Sequence, residues 1–132
     1  MRLIEWCATN KLTVKFISND VGHYDASTNT VSLSHRTLPE TQLYTLLHEL
    51  GHYLIETQDD EWYNERYVKG WKTTPSDDVS FHYKIDTLAE EFDAWYNGLL
   101  LAKRLSLDIN VERFFAMRNT CLKTYVKIAA NL

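Results

Sequence analysis

Two histidines and a glutamate in His48-Glu49-Leu50-Gly51-His52 are the residues of this chain best placed to do chemistry. On an α-helix, residues i and i+4 project from one face, so both imidazoles can grip a single metal ion. Glu49 then stands beside a water made reactive by that metal and serves as general base, the arrangement of zinc-dependent hydrolysis. Two solvated histidines flanking a surface glutamate would give the same letters. The surrounding helix decides between them.

Pro39-Glu40, with Thr37 ahead as a cap, marks where that helix opens. Leu43, Leu47, Leu50 and Leu54, with Leu46 alongside, form a core-facing stripe. At about 100° per residue, His48 and His52 fall roughly 140° and 180° from Leu43, on the other side. A solvated side would be charged, yet here it carries Thr45 and Ile55 beside the histidines. The helix is therefore expected to be covered on both sides. Gly51 lowers helix stability by about 1 kcal/mol relative to alanine. Its presence predicts close approach of another backbone.

A hydrolytic zinc site needs a third protein ligand and an open position for water. A second long helix, predicted over 86–106, offers Leu88, Phe92, Trp95, Leu99 and Ala102 as its core stripe. Glu90 falls about 180° from the stripe axis and Glu91 about 60° from it, which prefers Glu91 as the ligand. Asp86 and Asp93 lie on the far side, and an ordinary helix-flank carboxylate is the alternative for Glu91.

With these residues in hand, the chain resembles a minimal zincin of the gluzincin type, similar to the ImmA/IrrE-like metallopeptidases. It is more distantly similar to membrane proteases with an HExxH…ExxAD signature. The likeness runs over roughly residues 10–105 and rests on His48, Glu49, His52 and Glu91-Phe92-Asp93-Ala94-Trp95. It implies a short sheet, a helix bearing HExxH and a following helix whose Glu91 completes a one-zinc site with His48 and His52. The chain departs from the family at Trp95, where Asp or Asn normally follows the alanine and supports the site. The chemistry implied is peptide hydrolysis, with Glu49 as base and an oxyanion donor drawn from His82 or Tyr83. Two other readings stay open: a zincin-like peptide-binding module without turnover, and a regulatory protein of a mobile element acting on a repressor. A His₂Glu set suits zinc, though iron, cobalt or manganese can take similar ligands.

Upstream, residues 12–17 and 30–34 alternate apolar and polar, with turn chemistry between them, and predict a small antiparallel sheet feeding the site helix. The resemblance to zincins implies that the strand beside that helix is an edge that pairs with an extended peptide, placing Ser32 and Leu33 near substrate. An ordinary sheet strand fits as well, and His35 reads as a loop histidine. Residues 57–85 are rich in aromatics and turn formers, with one or two helical turns at 61–68, and read as a lid or specificity wall. Residues 108–131 read as a C-terminal helix with Phe114, Met117, Cys121, Tyr125 and Ile128 on its packed side.

The 132 residues, 45% hydrophobic, supply one core, so residues 1–132 are expected to form a single α+β domain. No apolar run approaches a membrane span and the first residues lack a signal-peptide segment, which predicts a cytoplasmic protein. Cys7 and Cys121 show no CxxC spacing and are expected to be free thiols. A net charge of −4 without a basic cluster argues against binding nucleic acid, leaving a peptide or protein as partner.

Overall fold

The computed structural model describes residues 2–18, 22–67 and 77–130. Its element order is α1 (Arg2–Thr9), β1 (Thr13–Ile17), β2 (His23–Asp25), β3 (Thr30–Ser34), α2 (Pro39–Glu56), α3 (Asp60–Arg66), α4 (Asp77–Arg104) and α5 (Val111–Ala130). This is the α+β architecture expected, with a small sheet on the HExxH helix and two long helices after it.

The sheet is mixed where alternation predicted antiparallel pairing. Its order is β1-β3-β2, with β3 parallel to β1 and antiparallel to β2. A tight turn explains this. Asp25 Oδ1 accepts from the Ser27 backbone N–H at 2.9 Å and from its hydroxyl at 2.6 Å, and Asn29 takes φ 49°. That Asx geometry reverses the chain after only three strand residues. The short β2 thereby takes the antiparallel place beside β3 and leaves β1 the parallel side. β3 is thus central rather than an edge: Ser32 and Ser34 are buried, and β2 is the outer strand.

α2 begins at Pro39, whose fixed φ suits a first helical position. Its cap residue is Leu38 without a side-chain hydrogen bond, and Thr37 instead donates to the Ser34 carbonyl at 3.2 Å. Leu46, Leu47 and Leu50 are buried against Val31, Leu33, Trp95, Leu99 and Phe114. Each such leucine contributes roughly 1.5–3 kcal/mol through removal from water. On the other side, Ile55 is buried with Tyr67 and Ala94, so α2 is covered on both faces.

α2 and α4 touch backbone to backbone. A Cβ on Gly51 would overlap the Ala94 carbonyl, and one on Gly98 would overlap the Leu47 carbonyl. The absence of a side chain at these two points lets the helices approach that closely. α4 starts nine residues earlier than predicted, and Phe92 is 46% exposed although its spacing placed it in the core stripe. Trp95, Leu99 and Ala102 of that stripe are buried as expected, and the packed side of α4 takes in Ala94 and Leu101 with them.

Of the predicted lid at 57–85, residues 68–76 lie outside the described residues. The preceding part forms α3, capped by Asp59, which accepts from the Trp62 N–H at 2.7 Å. α3 is fixed to α4 by polar contacts: Arg66 makes two 2.9 Å bonds to Asp93, and the buried Tyr67 donates to Asp93 at 2.6 Å. Tyr63 donates to Glu90 at 2.9 Å, so Glu90 is engaged by α3. Among the described residues no helix is long and apolar enough to cross a membrane, and both cysteines are free.

Candidate metal centre

The backbone contact at Gly51 and Ala94 sets His48 and His52 of α2 opposite Glu91 of α4. His48 Nε2 lies 3.1 Å from Glu91 Oε1, and His52 Nε2 lies 2.8 Å from Glu91 Oε2. Both imidazoles therefore converge on the two oxygens of one buried carboxylate. His48, Glu49 and His52 also offer ligand atoms within 4.8 Å of one another.

The donor chemistry of this cluster fits a divalent cation. Glu91 is placed to accept from both Nε2 atoms, and a cation held by the same three side chains would take the place of protons between them. His₂Glu is a set that zinc accepts. Burial disfavours charge on His48 and lowers its pKa despite Glu91. Burial acts in the same sense on His52, but the hydrogen bond and charge of Glu91, helped by Glu49 and Glu90, carry its pKa upward. Glu91 therefore favours charge on His52 more than on His48, to which its contact is longer. Burial would raise Glu91, yet the two histidines outweigh it and hold the carboxyl at about 2.

Glu49 is set differently. It is only 7% exposed, and burial, reinforced by the charge of Glu91, raises its carboxyl to about 7 against the pull of His52 and of the Tyr24 backbone N–H. A carboxyl poised there can take and return a proton near neutral pH.

These residues open onto a cleft of about 620 Å³. One side is the outer strand β2, with His23 and Tyr24, and Gly22 just before it; another is α2, with Thr41, Gln42, Thr45 and Glu56; the third is α5, with Met117, Cys121 and Tyr125. Trp95 lines it beside His48.

Of the residues predicted from sequence, the structure brings together His48, Glu49, His52 and Glu91. Tyr83 is 54% exposed on α4 and is not part of the cleft lining. His82 falls in α4, and its side chain lies outside the described residues. Ser32 is buried in the central strand, whereas Leu33 does reach the cleft. His35 is in the exposed turn after β3.

Tyr125 was missed as a site residue. Its phenol is raised by burial, then by the charges of Glu91 and Glu49, with hydrogen bonding to Glu91 contributing. Its signal was present in the C-terminal stripe, but that stripe reads equally as core. A scan of family models finds no match for this chain, and neither curated proteins nor solved structures give one.

Proposed function

We propose that the chain is a zinc-dependent peptidase whose metal is held by His48, His52 and Glu91. The observation that carries this reading is the convergence of two histidine Nε2 atoms on one buried carboxylate, inside a cleft and beside a second, near-neutral carboxyl. Zinc bound there supplies Lewis acidity, polarising a carbonyl and making water nucleophilic near neutral pH.

The chain's own residues do the rest. Glu49 accepts the proton of the attacking water and returns it to the leaving amine. The Tyr24 N–H from β2 steadies that carboxylate between the two transfers. Tyr125 reaches in from α5, and its hydroxyl is our choice of donor to the carbonyl oxygen as negative charge grows on it. β2 is the outer strand at the cleft, so an extended peptide can run along it by strand addition.

Metal content and turnover test this together. Protein purified without added metal should hold near one zinc per chain, and Glu91→Ala should lose it. Glu49→Gln should keep the zinc and lose peptide cleavage. Zinc retained by Glu91→Ala would remove Glu91 from the site, and an active Glu49→Gln would end the assignment of the base.

A second reading is a zincin-like module that holds a peptide without cutting it. Trp95, standing where the resembling family has an acidic residue, is the feature that favours it. Tight zinc with no cleavage of any extended peptide, a repressor included, would select this reading.

A further inference from the structure

Trp95 is the largest fully buried side chain among the described residues, at 1% exposure. Its indole lies almost parallel to the imidazole of His48, with planes 8° apart and centroids 4.3 Å apart. Phe114 of α5 meets the same indole edge-on at 5.2 Å. The indole Nε1 is buried with no hydrogen-bond partner among the described residues. A buried donor left unpaired is unfavourable. Hydrogen bonding therefore does not explain a tryptophan here, and the broad face of its ring is what remains.

His48 needs such a face. A metal-binding histidine is usually oriented by a hydrogen bond to its other ring nitrogen. Among the described residues, the polar contact of His48 Nδ1 is with Glu49 Oε1, at 3.5 Å, too long for an effective bond. Glu49 is moreover the next residue on the same helix, a poor direction for one. Nothing else among the described residues holds that nitrogen. The ring plane is fixed instead by the indole laid along it.

Resting on the metal-centre reading above, we propose that Trp95 is a positioning residue for the bound cation. Its indole holds the His48 plane so that Nε2 meets the point shared by His52 and Glu91. Coordination draws electron density from an imidazole, and the face of an indole is electron-rich. The stack is therefore stronger in the loaded protein than in the metal-free one, and it favours loading. Stacking at position 95 does the orienting that a carboxylate or amide would otherwise do from there.

The test is zinc affinity, by chelator competition, in wild type, Trp95→Phe, Trp95→Leu and Trp95→Met, with metal-free thermal stability measured alongside. Phenylalanine keeps an aromatic face and should hold zinc within about threefold of wild type. Leucine and methionine fill space without a face and should weaken zinc about 10- to 100-fold, the usual range for losing an orienting group. Methionine adapts to irregular cavities, so it keeps the comparison open if the leucine variant does not fold. The visible absorption of bound cobalt(II) should be unchanged in Trp95→Phe and shifted in the folded aliphatic variant. Equal affinity in wild type and the aliphatic variants would overturn the proposal while leaving the metal site intact. Equal losses in all three variants would overturn it too, because volume and not the ring face would then matter. Wild type that binds no zinc would overturn the metal reading, and this inference with it.

Discussion

The two long sides of α4 are built on opposite plans. Where its backbone meets α2 it is bare: Gly98 lies against the Leu47 carbonyl, and Ala94 presents its own carbonyl to Gly51. Toward α5 it carries large side chains, with Trp95 edge-on to Phe114 and Arg118 lying over Phe92 at 5.1 Å and Phe115 at 4.5 Å. The first side fixes distance between backbones, which places Glu91 within 3.1 Å of both histidines. The second side keeps helices apart and leaves room for the cleft that Met117, Cys121 and Tyr125 line. Precision comes from removing side chains, and space from adding them.

The bare side should be the less forgiving. Gly51→Ala is expected to lose about 3 kcal/mol or more, since overpacking against a carbonyl has no flexible side chain to yield. Helix propensity alone would predict a gain of about 1 kcal/mol. Chemical denaturation of the metal-free protein separates these outcomes, and a stabilised Gly51→Ala would dissolve the contrast between the two sides.

Next in size is the pH response of Glu49, which sits on the bare side's helix. Its carboxyl ionises near 4.5 in ordinary surroundings and at about 7 in the fold. Between those values the folded chain binds more protons than the unfolded one, so stability of the metal-free protein falls as pH rises through this window. Above about 7 the loss is complete. Glu49→Gln should remove up to about 3 kcal/mol of that fall. Denaturation midpoints measured from pH 5 to 8 would show it, and an unchanged slope in the variant would refute the burial argument. Glu91 works in the opposite sense and lower down, losing its contribution as pH falls from 4.5 toward about 2.

The α5 side should respond in function more than in stability. Tyr125→Phe is expected to lower kcat at least tenfold with zinc affinity retained, as for loss of one oxyanion donor. Arg118→Ala, on the same helix but turned to Phe92 and Phe115, should change stability by no more than about 1 kcal/mol and leave kcat alone. Steady-state kinetics on the pair would sharpen the distinction, and equal effects on kcat would erase it.

Much of this was legible in the residues. The i, i+4 spacing of His48 and His52 needs only a helix to become a site, and Ile55 already indicated that the second face was covered. Gly51 foretold the backbone contact because a glycine inside a helix is otherwise unfavourable. Glu91 could be chosen over Glu90 because one residue turns a helix by about 100°. The direction of β1 could not be read, since it depends on the three-residue β2, too short to show alternation. Phe92 misled because wheel geometry fixes relative angles but not where the packed axis lies. Tyr125 was hidden for a related reason: a stripe facing a cleft and a stripe facing a core have the same period.

One helical turn of α4 carries four separate duties. Glu91 meets both histidines, Asp93 receives Arg66 and Tyr67 from α3, Ala94 lies against Gly51, and Trp95 stacks on His48. Changes there cannot combine as independent increments, because neighbours that share partners do not act additively. For a lineage exploring sequence, this turn is a single compound letter: it is altered together with its partners on α2 and α3, or it stays as it is.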